Sequence, residues 1–242
     1  MSEAPDKPEV MAVGAEAAPV VRHWMARNAW RFVLLFAGVL LPLAGFVSLA
    51  EEVHEFEAFN FDAPLLWRLH GWHDPALDYW VVLITRLGYE WFLIPADVLI
   101  VAGLLFWRRW REATFAALSL AGSAVLNLGS KQFFQRDRPS LWESIAPEST
   151  YSFPSGHAMG SMTFAWVVVL LAWNTRWRWP AVVLAPLFTL LVGGSRVYLG
   201  VHYPSDILAG WLAATVWVVG CFLLLFRRRT PWRARPVASL PR

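Results

Sequence analysis

The sequence predicts an all-α polytopic membrane protein with about six transmembrane helices. Of its 242 residues, 57% are hydrophobic, and the mean hydropathy of +0.43 is too high for an ordinary soluble domain of this length. The chain has 16 tryptophans, many of them near the ends of apolar stretches, as in the aromatic belts of membrane interfaces. Together these observations favour a helical bundle in a bilayer.

The two chain ends are predicted to flank a single membrane domain. Residues 1–21 mix Ala, Glu, Pro and Gly without apolar periodicity, so we expect a disordered tail there. One transmembrane domain is predicted over residues 22–229, followed by a short basic, proline-rich tail over residues 230–242. The first span is predicted over residues 32–50, which are enough to cross about 30 Å of hydrocarbon at about 1.5 Å per residue.

The stretch between the first two spans is predicted to follow the outer membrane surface. Residues 51–74 are polar and acidic, and residues 75–88 are apolar but interrupted by Asp78 and Arg86. Because the second of these stretches is too short to span, we expect an amphipathic helix at the interface. The second span is then predicted over residues 91–107.

Four further apolar stretches complete the predicted bundle, at residues 113–130, 153–173, 180–192 and 207–226. Arginine clusters precede the first span and follow the second, fourth and sixth spans, so in a six-span chain they all fall on one side. Positively charged residues favour the cytoplasmic side, which predicts that both termini are cytoplasmic. The polar segments 131–157 and 195–206 then meet at the outer face.

Four cations occur in those outer segments, against the usual charge asymmetry of membrane proteins. Lys131, Arg138 and Arg196 have no matching surplus of nearby carboxylates, so together they predict a pocket for a polyanion. Arginine offers paired donors that match phosphate oxygens, and lysine adds a point charge. Ser155 and Gly156 stand where a span begins, so their backbone amides and the helix dipole also favour a bound anion.

Two histidines near these cations have different predicted tasks. His202 and Asp206 are four residues apart, a spacing that places side chains on one face of a helical turn. With one ring nitrogen held by the aspartate, His202 would present the other to phosphorus as a nucleophile. His157 would protonate the leaving oxygen and later activate water. No cluster of carboxylates with metal-ligand character accompanies them, so we expect no metal and no cofactor.

These residues resemble the type 2 phosphatidic acid phosphatase (PAP2) superfamily, the lipid phosphate phosphatases, which are related to vanadium haloperoxidases and bacterial acid phosphatases. The family pattern is Lys-x6-Arg-Pro, Pro-Ser-Gly-His and Ser-Arg-x5-His-x3-Asp, and all three parts occur here in order, beginning at Lys131, Pro154 and Ser195. The resemblance covers the chain from about residue 75 to residue 226 and implies a PAP2-like helical bundle. It implies a nucleophile at His202, an orienting partner at Asp206, an acid at His157, and phosphate binding by Lys131, Arg138, Ser155, Gly156 and Arg196.

The activity that the resemblance implies is removal of the terminal phosphate from a lipid phosphate or pyrophosphate, through a phosphohistidine intermediate. The expected location is the outer leaflet of a bacterial inner membrane. Candidate substrates are undecaprenyl pyrophosphate, phosphatidylglycerophosphate, phosphatidic acid and lipid A phosphates, and the sequence does not choose among them. The expected partners are the lipid and the bilayer. The net charge of +3 comes from short clusters beside apolar segments, so nucleic acid is not expected.

Other interpretations of the same residues remain open at this point. The cations of the first motif could snorkel at the outer boundary, and Arg196 and Asp206 could form a structural ion pair. A non-hydrolytic phospholipid-binding transporter or scaffold would need the cations but not the acid and nucleophile. A vanadate-dependent oxidase would share the anion pocket, although six apolar spans disfavour that soluble class. Arg136 and Asp137 match no family position and are interpreted as solvated charges that could be paired.

Overall fold

The computed structural model describes residues 28–226 and 231–232. Within these residues every regular element is a helix: α1 Asn28–His54, α2 Asp62–His70, α3 Pro75–Phe106, α4 Trp110–Phe134, α5 Gly156–Ala172, α6 Arg178–Tyr198 and α7 Pro204–Leu225. Five of them, α1, α3, α4, α6 and α7, are long and apolar enough to cross a membrane, and α5 is a shorter apolar helix of 17 residues. The predicted all-α membrane fold is therefore confirmed.

Some sequence predictions fall on parts of the chain that are not described. These are the N-terminal tail over residues 1–21, the arginines at positions 22, 27 and 227–229 beside the first and last spans, and the C-terminal tail apart from residues 231–232. The arginines between the spans, at positions 108, 109, 111, 176 and 178, lie within the described residues.

Helix α7 lies at the centre of the bundle and packs against α1, α4 and α5, and α5 packs in turn against α6. Half of the residues in the most apolar 18-residue stretch of α6 and of α7 are buried, against only 11% in α1 and in α3. Helices α6 and α7 are therefore inner helices. Between α4, α5 and α7 the core contains Phe115, Val167, Val218 and Phe222, all nearly inaccessible. Helices α5 and α7 approach closely at Gly210, where a Cβ atom would lie 2.9 Å from the carbonyl oxygen of Ser155.

Helix α3 contains both the amphipathic stretch 75–88 and the second predicted span. It extends over 32 residues, and a π-helical turn at Leu87–Trp91, followed by the non-helical Phe92 with φ of −123°, joins its two halves. The two charges in the first half have partners, because Arg86 lies 5.3 Å over the ring of Trp91 and Asp78 accepts a 2.6 Å hydrogen bond from Tyr198. At about 1.5 Å per residue, α3 is about 48 Å long and extends beyond a hydrocarbon core of about 30 Å.

The acidic stretch 51–74 is also more structured than predicted. Its first four residues complete α1, and Asp62 begins the short helix α2. Helix α2 packs against α6 and α7, and its Leu66 belongs to one buried apolar cluster with Ala158, Val197 and Ile207. One face of this helix is therefore buried against the bundle.

Four helix ends meet at one end of the bundle and carry the motif residues. Helix α4 continues to Phe134, so Lys131 lies in its last turn. Helix α6 extends to Tyr198, beyond the predicted end at residue 192, so Arg196 is helical. Helix α7 begins at Pro204, three residues before the predicted start of the last span. The ends of α4 and α6 and the starts of α5 and α7 thereby bring the three motifs together.

Candidate active site

His202 lies on the short link between α6 and α7, with its ring held from the Nδ1 side. Nδ1 is 3.4 Å from Oδ2 of Asp206 and 3.2 Å from Oγ of Ser152, and Ser152 donates a 2.5 Å hydrogen bond to the same carboxylate oxygen. Asp206 also accepts a 2.9 Å bond from the backbone N–H of Tyr203, which closes a capping box at the start of α7. The contact between His202 and Asp206 therefore depends on the cap of α7, because His202 precedes the helix and does not share a helical face with Asp206.

The surroundings of His202 favour the neutral imidazole. The residue is 1% exposed. Burial lowers the pKa of His202 well below its usual value, and the positive charges of Arg138, Arg196 and Lys131 lower it further. With the Nδ1 proton directed at the aspartate, Nε2 carries the lone pair. A neutral imidazole oriented in this way can act as a nucleophile at Nε2.

Arg138 lies directly against this nitrogen and is held by backbone carbonyls. Its Nη1 is 3.1 Å from Nε2 of His202 and donates a 2.7 Å bond to the carbonyl oxygen of Val201. Its Nε donates a 2.6 Å bond to the carbonyl oxygen of Thr150. Lys131 reaches the same place, since its Nζ donates a 2.7 Å bond to Oγ1 of Thr150. Two of the predicted phosphate-binding cations thus converge beside His202.

Arg196, the third predicted cation, is almost completely buried and has an unexpected carboxylate partner. It is 2% exposed, and its Nη1 donates a 2.6 Å bond to Oγ1 of Thr85 on α3. Its Nη2 forms an ion pair with Glu148, whose other oxygen is 3.6 Å from Nη2 of Arg138. One carboxylate thus faces two of the three cations, because the loop before α5 folds back over both arginines.

The second motif lies at the start of α5. Ser155 is the helix cap, and its Oγ accepts a 3.4 Å bond from the backbone N–H of Ala158. Its own N–H donates a 3.1 Å bond to the carbonyl oxygen of Asp206, which ties the start of α5 to the first turn of α7. Gly156 is the first residue of the helix. His157 is half-buried, and its ring lies 4.7 Å from the ring of Tyr89 on α3.

Arg136 is paired, as the sequence left open, but it is not solvated as expected. Its side chain is 13% exposed, and its Nη1 forms a 2.5 Å ion pair with Oδ1 of Asp206. Its Nη2 is 3.1 Å from Oδ2 of Asp62 on α2, and the guanidinium lies 4.2 Å over the ring of Tyr203. Asp137 is exposed, as expected. Spacing could not reveal this cluster, since Asp62 and Arg136 are 74 residues apart.

Comparison with known proteins relates this arrangement to one family. Residues 112–230 match the PAP2 superfamily. The chain is 31% identical over 171 residues to phosphatidylglycerophosphatase B of Bacillus subtilis, covering 69% of this chain and 84% of that protein. It is 34% identical over 195 residues to an undecaprenyl-diphosphatase of Sulfolobus acidocaldarius, covering 78% of this chain and 86% of that protein.

A solved structure has the same fold. The crystal structure of a transmembrane PAP2-type phosphatidylglycerolphosphate phosphatase from Bacillus subtilis superposes with a TM-score of 0.65 at 28% identity. The match covers 77% of this chain and 98% of the crystallised chain.

Proposed function

This chain belongs to the PAP2 superfamily of membrane phosphatases that act on lipid phosphates, and we propose that it removes a terminal phosphate through a phosphohistidine at His202. The observation that carries the proposal is the environment of this ring. His202 is buried in surroundings that favour the neutral imidazole, its Nδ1 faces Asp206, and its Nε2 faces the guanidinium of Arg138. A nucleophile for phosphorus needs a lone pair, a fixed orientation and cations beside the phosphate oxygens.

In the first step the terminal phosphate binds among Lys131, Arg138 and Arg196. The Nη1 donor of Arg138 passes from Nε2 to a phosphate oxygen, which frees the lone pair. Nε2 of His202 then attacks phosphorus, a P–N bond forms, and the bond from phosphorus to the leaving oxygen breaks. His157 donates a proton to that oxygen, so the lipid leaves as an alcohol or, from a pyrophosphate, as a lipid monophosphate.

In the second step water hydrolyses the phosphohistidine. The neutral His157 takes a proton from water, whose oxygen attacks phosphorus while the P–N bond breaks and Nε2 recovers its lone pair. The charge that develops on the phosphoryl oxygens is stabilised by the three cations and by the N-terminus of α5 at Ser155 and Gly156. We propose that no metal takes part, because these cations supply the electrostatic stabilisation that magnesium gives in many phosphoryl-transfer enzymes.

A large apolar cavity in the membrane part of the bundle supports a lipid as the substrate. It has a volume of about 990 Å³ and lies among α1, α5, α6 and α7. Its lining extends from Met162 and Trp211 in the middle of the bundle to Trp173 and Asn174 at the end opposite the site, and includes no residue of the site. An apolar chain could occupy this space.

We also propose candidate lipids for this site and the side of the membrane that it faces. The names of the two relatives support undecaprenyl pyrophosphate and phosphatidylglycerophosphate, and phosphatidic acid and lipid A phosphates remain candidates. The links at residues 107–109 and 173–177, which contain Arg108, Arg109 and Arg176, lie at the end of the bundle opposite the site. By the charge asymmetry of membrane proteins, the site faces the outer side of a bacterial inner membrane and both termini are cytoplasmic.

The test is phosphate release from a panel of these lipids by the purified protein in detergent, with EDTA and vanadate arms. We expect release from at least one lipid, inhibition by vanadate, insensitivity to EDTA, and loss of activity in His202→Ala. Loss of activity in EDTA would contradict the metal-free mechanism. If no lipid were hydrolysed and His202→Ala bound the lipids as well as the wild type, a non-hydrolytic transporter or scaffold would be the better interpretation.

A further inference from the structure

The two oxygens of Asp206 face different groups, and one of them is not used by the proposed mechanism. Oδ2 faces Nδ1 of His202, Oγ of Ser152 and the N–H of Tyr203. Oδ1 faces away from the histidine and accepts a 2.5 Å charge-assisted bond from Nη1 of Arg136. Asp206 is fully buried. A buried carboxylate is costly without a cation, and Arg136 is the cation in direct contact with it.

Arg136 is itself fixed from several directions. Its Nη2 pairs with Oδ2 of Asp62 at 3.1 Å, and its Nη1 also donates a 2.8 Å bond to Oγ of Ser205. The guanidinium plane lies over Tyr203 at 4.2 Å and is 5.6 Å from the ring centre of Phe59. A guanidinium can bridge two carboxylates because its donors form a rigid planar fork, whereas an ammonium group is a single point charge.

Asp62 completes the arrangement from α2. It is 3% exposed. Its Oδ1 accepts a 2.9 Å bond from the backbone N–H of Ser205, and its Oδ2 accepts a 2.5 Å bond from Oγ of the same serine. Ser205 immediately precedes Asp206, so the first turn of α7 is held at adjacent residues by Asp62 and by Arg136.

We propose that Asp62 and Arg136 are a positioning pair for the nucleophile. Through Asp206 they fix the ring of His202 so that Nε2 points at phosphorus. The inference rests on the proposed function, since it assigns the pair a role only if His202 is the nucleophile. Neither Asp62 nor Arg136 is proposed to contact the phosphate. The pair therefore acts on the chemical step and not on ground-state binding.

The test compares Arg136→Ala, Arg136→Lys and Asp62→Asn with the wild type in lipid phosphate hydrolysis. We expect kcat to fall about 10- to 100-fold in Arg136→Ala, the range for groups that orient a functional histidine through its second nitrogen. KM and the inhibition constant of inorganic phosphate should stay within about threefold, because Lys131, Arg138 and Arg196 are untouched. Added guanidinium ion should partly restore kcat in Arg136→Ala. Arg136→Lys and Asp62→Asn should give intermediate kcat values.

Two exposed residues provide matched controls, Arg68→Ala on α2 and Glu143→Gln in the loop before α5, and both should keep the wild-type kcat. An unchanged kcat in Asp62→Asn and Arg136→Lys would overturn the inference. If Arg136→Ala does not fold, these two variants alone provide the test. A parallel rise of KM and of the phosphate inhibition constant would also overturn it. A wild type that hydrolyses no lipid phosphate would overturn the proposed function and this inference with it, whereas the other outcomes leave the proposed function intact.

Discussion

Glu148 contacts the same two arginines that are proposed to bind phosphate. Its carboxylate pairs with Nη2 of Arg196 and is 3.6 Å from Nη2 of Arg138, and its side chain is 28% exposed. A phosphate dianion that approached these donors would meet a negative charge already in place. Glu148 is 48 residues from Arg196 in the chain, so this contact is apparent only in the folded structure.

We predict that Glu148→Gln binds inorganic phosphate more tightly than the wild type. Removal of one partly exposed negative charge beside the arginines is worth roughly 1 kcal/mol, or about fivefold in the dissociation constant. Isothermal titration with phosphate measures this directly, with Glu143→Gln as the exposed control. Weaker phosphate binding in Glu148→Gln would mean that the carboxylate orients the arginines and does not compete with the ligand.

The buried ring of His202 should remain neutral at mildly acidic pH. Burial and the adjacent Arg138 lower the pKa of His202 well below its usual value of about 6.5, so the ring gains a proton only at lower pH. Nitrogen-15 NMR of histidine-labelled protein should show a neutral His202 at pH 6, with the signal assigned by its absence in His202→Asn. An imidazolium signal from His202 at that pH would contradict the described environment.

The sequence predicted which motif residues would meet but not what surrounds them. Charges at span ends and fixed spacings pointed to the cations, the two histidines and Asp206, and the structure brings these together. Asp62 and Arg136 carry no such signal, because their contact depends on α2 folding back over α7. Thr85 likewise lies 111 residues from Arg196, which it contacts. Partners chosen by tertiary packing leave no local pattern.

At the scale of single elements, the existence of the spans was predictable and their ends were not. Hydropathy located the apolar stretches, because about 20 apolar residues are needed to cross a bilayer. Asp78 and Arg86 interrupt the apolar sequence of the first half of α3, and their partners, Tyr198 and Trp91, could not be identified from hydropathy. Helix ends next to a polar site follow the contacts of the site more than the local composition.

The close approach of α3 to α6 at Gly88 predicts a specific sensitivity. A Cβ atom at this position would lie 2.6 Å from the side chain of Val192, so Gly88→Ala should destabilise the fold by about 1–3 kcal/mol. Gly129→Ala on α4 is the control, because a Cβ there would have no neighbour within 4 Å. Thermal unfolding in detergent measures both. Equal melting temperatures for the two variants would show that the helices do not pack as described.

For the whole molecule, the arrangement of helices predicts a topology that labelling can test. The site and the loop before α5 lie at one end of the bundle, and the links at residues 107–109 and 173–177 lie at the other. We expect Glu143→Cys to react with a membrane-impermeant maleimide in intact cells and Arg176→Cys to react only after permeabilisation. Native Cys221 is buried and gives little background. The reverse pattern of labelling would invert the proposed orientation.

The proposed mechanism requires a covalent bond between phosphorus and Nε2 of His202. Rapid quenching of the enzyme during turnover of a phosphorus-32-labelled lipid phosphate, in alkaline denaturant, should trap a labelled protein. The label is expected to be stable in alkali and labile in acid, to map to the peptide that contains His202, and to be absent in His202→Asn. An acid-stable label on another residue, or sustained turnover by His202→Asn, would contradict a phosphohistidine intermediate at His202.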